Sequence, residues 1–296
     1  MNSFQVEDMG QHKILRASLQ AHDPQKPLPL SLQLLFPAPI GLTSALLERT
    51  LAKLHPPLAK ARVEVISGAV GAKPDQFGQI ARIQWGQHTV HVASFDGKLP
   101  YEATQESVNM AHYADEVKVQ AHAHTAHAVL LYRGEEKDPL EQYVALGMIA
   151  VAVGSLGASV VLNTSAYTSC PAEALLPTPG EKLDKVLREM PLPMLFVGFA
   201  RFEVEGTKGV WMRTCGAPLL NLPDLAVRTL SADEGMEVFY RFHKVLHTLY
   251  TTQTEFSPGC TIEDGALNWK LRAPYPHEGF LDSPKMFVLE PCPPGP

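Results

Sequence analysis

The pattern of apolar and polar positions predicts short strands and one helix in the first third of the chain. Residues 30–36 form an apolar run of strand length. A helix follows, with its apolar residues at helical spacing: Leu46, Leu47, Leu51 and Leu54. Strands are predicted at 62–66, 79–85 and 89–93, and the last two form a hairpin around the short turn 86–88.

The middle of the chain predicts a helix over 101–117 and a buried strand over 126–132. An uncharged stretch then runs from Val144 to Leu162, close to the ~20 residues that cross a membrane. Gly154 and Gly157 interrupt this stretch. Asp138 precedes it as an N-cap residue, which is typical of helices in soluble proteins. We therefore interpret it as a buried helix, a glycine turn and a buried strand, and expect no membrane span.

The last third predicts a short helix at 183–190, a hairpin of 194–204 with 208–214, and a strand at 225–230 that could extend it. Ser231 and Glu234 form a capping box before a long helix, 232–251. Its apolar stripe is predicted to be buried: Met236, Val238, Phe239, Phe242, Val245, Leu246 and Leu249. A late strand is predicted at 285–289. Recurring hairpins among capped helices indicate an α+β fold, with a mixed, largely antiparallel sheet covered by helices.

The same pattern divides the chain into three parts. Residues 1–28 are polar and are predicted to be a flexible leader. Residues 29–251 are predicted to form a single α+β domain, since one core can serve a chain of this size. Residues 252–296 are rich in Pro and Gly, and we expect a C-terminal extension that packs on the domain.

Composition narrows the classes of partner and the compartment. The hydrophobic content of 45% is ordinary for a globular protein. The formal net charge is −6, and no cluster of Lys and Arg provides the basic surface that nucleic acid requires. The four cysteines contain no CxxC pair, which argues against a zinc site and a compact disulfide framework. We expect a cytoplasmic protein that does not bind nucleic acid.

The most specific chemical pattern is the H-x-H-x-x-H of His122, His124 and His127. Histidines two apart on a strand point to one face and can share a metal ion, so these three residues are the candidate metal ligands. The alternative is that they begin the strand 126–132 and serve its packing. His112 lies ten residues upstream and could join the cluster if the intervening helix ends near it.

Other catalytic signatures are missing from the sequence. It contains no G-x-S-x-G nucleophile elbow, no GxxxxGK[ST] phosphate loop and no GxGxxG after a strand. Cys170 and Cys215 are only generic nucleophile candidates. We therefore assign no catalytic residue and expect no cofactor.

Two segments resemble the bacterial family called domain of unknown function 4261. In the first, Ala126 and His127 open an apolar strand that precedes Asp138-Pro139-Leu140 and an apolar helix. In the second, Thr214-Cys-Gly216 leads to Leu222-Pro223-Asp224-Leu225. The resemblance extends over about residues 30–251 and implies a shared fold. That family has no agreed activity, so it implies no catalytic residue.

Two hypotheses of function follow. The first is a non-enzymatic binding or regulatory protein, of the immunity or accessory type found beside bacterial toxins and secretion systems, with a toxin or effector as its protein partner. An acidic chain suits a basic partner by charge complementarity. The second is a hydrolase or other enzyme that uses His122, His124 and His127, with or without a metal.

Overall fold

The computed structural model of this protein describes residues 29–67, 79–264 and 267–292. In these residues the strands form two sheets, which helices cover. The first sheet contains β1 Ser31–Phe36, β2 Arg62–Ser67, β3 Gln79–Trp85, β4 His88–Phe95, β5 Ala126–Tyr132, β6 Val160–Asn163 and β7 Thr168–Pro171. The second contains β8 Gly198–Phe202, β9 Val210–Cys215, β10 Asp224–Thr229, β11 Thr261–Asp264, β12 Leu267–Arg272 and β13 Met286–Cys292. The α-helices are α1 Ser44–Leu54, α2 Tyr101–Asn109, α3 Asp115–Ala123, α4 Pro139–Gly154, α5 Leu183–Glu189, α6 Leu192–Leu195 and α7 Gly235–Thr252. The predicted α+β class is confirmed. The predicted leader, 1–28, lies outside the described residues.

The first sheet is antiparallel throughout, in the order β2-β3-β4-β5-β1-β6-β7. Its strand β1 is buried on both faces. Leu34 belongs to the large core under α4, whereas Leu35 packs with Val108 and Ala121 from α2 and α3. Burial on both faces explains why this strand is almost continuously apolar instead of alternating.

Helix α4 confirms the interpretation of the long apolar stretch. Asp138 caps it, since its carboxylate accepts a hydrogen bond from the backbone N–H of Leu140 at 2.9 Å. Nearly every residue of the helix is buried, as expected of a helix that is apolar on all sides and lies within a core. A turn at Gly157 then leads into β6. No helix in the described part of the chain is long and apolar enough to cross a membrane.

The second sheet has the order β11-β12-β13-β10-β9-β8. The predicted hairpin is present as β8 and β9, although its first strand begins at Gly198 and not at 194, which lies in α6. Strand β10 extends it antiparallel to β9. The capping box of Ser231 and Glu234 is formed before α7. Buried residues of α7, among them Val238 and Phe242, join the same core as α4, so one hydrophobic cluster connects the two sheets.

The C-terminal segment beyond residue 251 contributes strands to the second sheet. Strands β11, β12 and β13 all lie beyond residue 251, the predicted end of the domain. Strand β13 pairs in parallel with β10 and antiparallel with β12. Of these strands, the sequence pattern predicted β13 alone. The alternating Leu-Asn-Trp-Lys-Leu-Arg of β12 is typical of a half-buried strand and was missed, and β11 is only four residues long.

The predicted helix 101–117 is two helices, α2 and α3, separated by residues 110–114. This segment contains neither Gly nor Pro, so tertiary contacts must override its local propensity. Tyr113 hydrogen-bonds Ser169, and His112 packs on the ring of Phe199. The second helix then continues through His122, which the sequence had placed at the start of a strand.

Candidate binding cleft at the junction of the two sheets

A cleft of about 510 Å³ opens between the two sheets. Its walls are the segment 110–113 between α2 and α3, strand β7, helix α6, strand β8 and the start of α7. Each sheet therefore provides an edge strand to it, β7 from the first and β8 from the second.

The wall from the second sheet is aromatic. Phe199 and Arg201 share one face of β8, since side chains two apart on a strand point the same way. The ring of Phe199 makes edge contacts with Phe239 at 5.7 Å and Phe242 at 6.0 Å between centroids. It also contacts the imidazole of His112 at 5.4 Å. The remaining wall is mostly apolar, with Met110, Pro171, Pro193 and Met194.

Met236 lies at the rim of this cleft and is 62% exposed. The prediction that it belongs to the buried stripe of α7 is wrong, because the helix turns this side chain toward the cleft and away from the core. Methionine side chains adapt easily to irregular apolar surfaces. An exposed Met beside Phe239 therefore gives the cleft an adaptable apolar edge.

The polar end of the cleft is formed by Arg201 and His112. The guanidinium of Arg201 donates to Nδ1 of His112 at 3.3 Å and to the carbonyl of Ala232 at 3.4 Å. Burial and the charge of Arg201 lower the pKa of His112, so its imidazole is neutral at pH 7 and accepts this bond. No carboxylate of the described residues lies within ion-pair distance of Arg201.

Two hydroxyl groups of the cleft, those of Tyr113 and Ser169, are hydrogen-bonded to each other. Ser169 donates to the carbonyl of Ser107 at 2.9 Å, and the phenol of Tyr113 bonds Ser169 at 3.0 Å. Burial raises the pKa of Tyr113 to about 12. Among the described residues, neither oxygen has a histidine or carboxylate partner that could act as a base, so this geometry does not activate a nucleophile.

The two candidate cysteine nucleophiles are also held as thiols. Burial raises the pKa of Cys170 to about 12 and that of Cys215 to about 11. Because the thiolate is the nucleophilic form, neither residue is activated at neutral pH. All four cysteines of the chain are free.

The three histidines predicted as metal ligands have separate partners. His122 lies in the last turn of α3, where its Nε2 bonds Oδ1 of Asn109 at 3.2 Å. His124 follows the helix, and only His127 lies on β5. Across the residues that the structure describes, no group of three or more His, Cys, Asp or Glu side chains could hold a metal ion. The metal hypothesis gains no support from this geometry.

His124 and His127 instead hold the loop between β4 and α2. His124 accepts from the backbone N–H of Leu99 at 2.9 Å, and its other nitrogen donates to the carbonyl of Ala121 at 2.6 Å. His127 donates to the carbonyl of Gly97 at 2.7 Å. Burial lowers the pKa of His127 to about 4, against the opposing effect of the Gly97 bond. Both imidazoles are therefore neutral loop anchors at pH 7.

The segments that carry the family resemblance are structural as well. Oδ1 of Asp224 accepts from the hydroxyl of Thr214 at 3.0 Å and from the backbone N–H of Ala217 at 3.1 Å. Its Oδ2 accepts from Ser283 at 2.7 Å. The carboxylate is 3% exposed and ties β9, β10 and the C-terminal segment together.

The sequence did not identify the residues of this cleft as a site. Arg201 and Phe199 could have been paired by their spacing on a predicted strand, but nothing in the sequence places them beside His112. The residues of the cleft walls lie far apart in the sequence, and only the packing of the two sheets brings them together.

Comparison with family models returns no match to this chain, and comparisons with curated proteins and with solved structures return none either.

Proposed function

We propose that this protein is a non-enzymatic binding protein whose ligand site is the cleft between the two sheets. The observation that carries the proposal is a cleft of about 510 Å³ with a mostly apolar wall and a guanidinium that has no carboxylate partner among the described residues. Concave, largely apolar sites with a few converging polar groups are typical of small-molecule binding.

The arrangement of the cleft favours binding over catalysis. Ser169, His112 and Asp233 all line it, but they do not form a triad. Ser169 donates to a backbone carbonyl, and His112 accepts from Arg201. A catalytic serine needs a base within hydrogen-bond reach, and that base needs an orienting partner. Ser169 and His112 each hydrogen-bond a group that is not part of such a triad.

The regulatory part of the proposal rests on other observations. The resemblance to a bacterial family, the net charge of −6 and the four free cysteines support a cytoplasmic accessory or immunity protein with a basic protein partner. Affinity capture from the native host would test this part. Recovery of a basic toxin or effector supports it, and capture of background proteins alone opposes it.

The binding proposal is tested with the neutral apolar fluorophore N-phenyl-1-naphthylamine. We expect saturable binding with increased emission, because the aromatic wall excludes water from the probe. Met194→Trp fills the cleft and should weaken binding by about tenfold or more, the effect of losing a well-fitted apolar contact.

Leu176→Trp is the matched control, since Leu176 is 50% exposed and lies outside the cleft. It should bind the probe like the unmodified protein. Absence of saturable binding in the unmodified protein, or equal binding by Met194→Trp, would show that the cleft is not the site.

A further inference from the structure

We propose that the ligand of this cleft is a monocarboxylate with an apolar body of about the size of a medium-chain fatty acid, its carboxylate bound by Arg201. This inference rests on the proposed function and names the chemical class of its ligand. Such a ligand would match the positive charge of Arg201 at one end of the cleft and the apolar surface along the rest of its wall.

Arg201 is available to an anion. Its two protein partners are neutral groups at 3.3 and 3.4 Å, which are long distances for guanidinium hydrogen bonds. Guanidinium groups bind carboxylates through two parallel hydrogen bonds, and such charge-assisted pairs are the shorter and stronger ones. A carboxylate would therefore replace weak contacts of Arg201 with stronger ones.

Charge at this end of the cleft is positive. The charged groups that act on His112 are Arg201 and Lys118, and both lower its pKa. Lys118 lies 3.7 Å from Asp115, a residue whose side chain is 93% exposed. Asp233 is the carboxylate on the cleft wall, but it accepts a hydrogen bond from Ser231 at 3.0 Å within its own turn and does not reach Arg201. The charges that act on His112 therefore favour an anion, with Asp233 as the opposing charge on the cleft wall.

A single negative charge fits better than a phosphate. Among the described residues that line the cleft, Arg201 is the cationic side chain, and His112 is neutral and accepts from it. A second negative charge would find no second cationic partner among the described residues that line the cleft. A carboxylate is the common group that carries one charge and matches the guanidinium geometry.

The rest of the cleft suits an apolar body. Phe199, Phe239, Met194 and Met236 line it. A volume of about 510 Å³ lies within the range of sites for small organic ligands. Methionines on two sides can adjust to ligands of different shape, so the site should select for an apolar anion and not for one exact skeleton.

Displacement of bound N-phenyl-1-naphthylamine by decanoate and by 1-decanol, at pH 7.5, tests the ligand class. The two compounds share one apolar chain and differ in charge. We expect decanoate to displace the probe at about tenfold lower concentration, because a charge-assisted hydrogen bond gives about that preference. The preference should decrease at high salt.

Substitution of Arg201 then tests the contact. Arg201→Gln should abolish the preference for decanoate while probe binding persists, and Arg201→Lys should retain part of it. Arg228→Gln is the matched control, because Arg228 is exposed on β10 and lies outside the cleft; it should keep the full preference.

The outcomes separate the two proposals. If the probe does not bind, the proposed function fails. If the probe binds but decanoate and decanol displace it equally, the cleft is still supported as the binding site, and the proposed ligand class is wrong. A preference that survives Arg201→Gln would also overturn this inference. If Arg201→Gln does not fold, the charge-retaining Arg201→Lys and the salt dependence of the unmodified protein decide the question.

Discussion

The imidazole of His127 lies flat on the phenyl ring of Phe95, with ring centroids 4.7 Å apart and ring planes 9° apart. The two residues face each other across strands β4 and β5. His127 also donates to the carbonyl of Gly97, in the loop that follows Phe95. One neutral histidine thus joins a strand pair to the loop beside it.

This burial makes stability dependent on pH. The pKa of His127 is about 4 in the folded protein and 6.5 in an ordinary histidine. The unfolded chain therefore binds more protons between these values, so the stabilisation is fully present above pH 6.5 and is lost as pH falls toward 4. Between pH 7 and pH 5, this residue should lower the free energy of unfolding by about 2 kcal/mol.

Urea denaturation of the unmodified protein and of His127→Asn at both pH values measures that effect. Asparagine can place an amide donor near the position of Nδ1, but it does not titrate. The loss of stability between pH 7 and pH 5 should be smaller by about 2 kcal/mol in the variant. An equal loss in both proteins would assign the pH dependence to other histidines.

Replacing His124 by alanine should lower the free energy of unfolding far more than replacing His122 by alanine. His124→Ala removes partners of the Leu99 N–H and the Ala121 carbonyl in a buried position, and should cost about 2–4 kcal/mol of unfolding free energy. His122→Ala loses only an exposed bond to Asn109 and should change stability by less than about 0.5 kcal/mol. Thermal and urea unfolding measure both. Equal stability of the two variants would contradict the anchoring role of His124.

The same histidines show how far sequence could predict this site. Their spacing suggested a shared face of a strand, but α3 extends through His122, so the three side chains have different backbone environments. Helices with caps and strands with clear apolar runs were predictable from local chemistry, as Asp138 and Ser231 show. The cleft was not, because Arg201 and His112 meet only through the packing of two sheets.

Asp224 should contribute strongly to stability. Asp224→Ala leaves the hydroxyl of Thr214 and the buried N–H of Ala217 without their acceptor and removes the bond from Ser283, and we expect a loss of about 3 kcal/mol. Asp282→Ala is the control, since Asp282 is exposed in the same region. In urea denaturation, the free energy of unfolding of Asp282→Ala should lie within about 0.5 kcal/mol of that of the unmodified protein. Similar losses in the two variants would show that the carboxylate does not tie these strands together.

Gly198 allows the two sheets to meet beside the cleft. A Cβ at this position would lie 1.9 Å from the backbone carbonyl oxygen of Ala166, so the loop between β6 and β7 would have to move. We expect Gly198→Ala to lower the free energy of unfolding by about 3 kcal/mol. It should also weaken binding of N-phenyl-1-naphthylamine, because the adjacent Phe199 forms the cleft wall. Gly41→Ala is the control, since no atom of the residues that the structure describes lies within 4 Å of a Cβ built there. That variant should be neutral or slightly more stable through its lower entropy in the unfolded chain. Unchanged stability and probe binding in Gly198→Ala would mean that the sheets can separate at this point without cost, and that the cleft does not depend on their close approach.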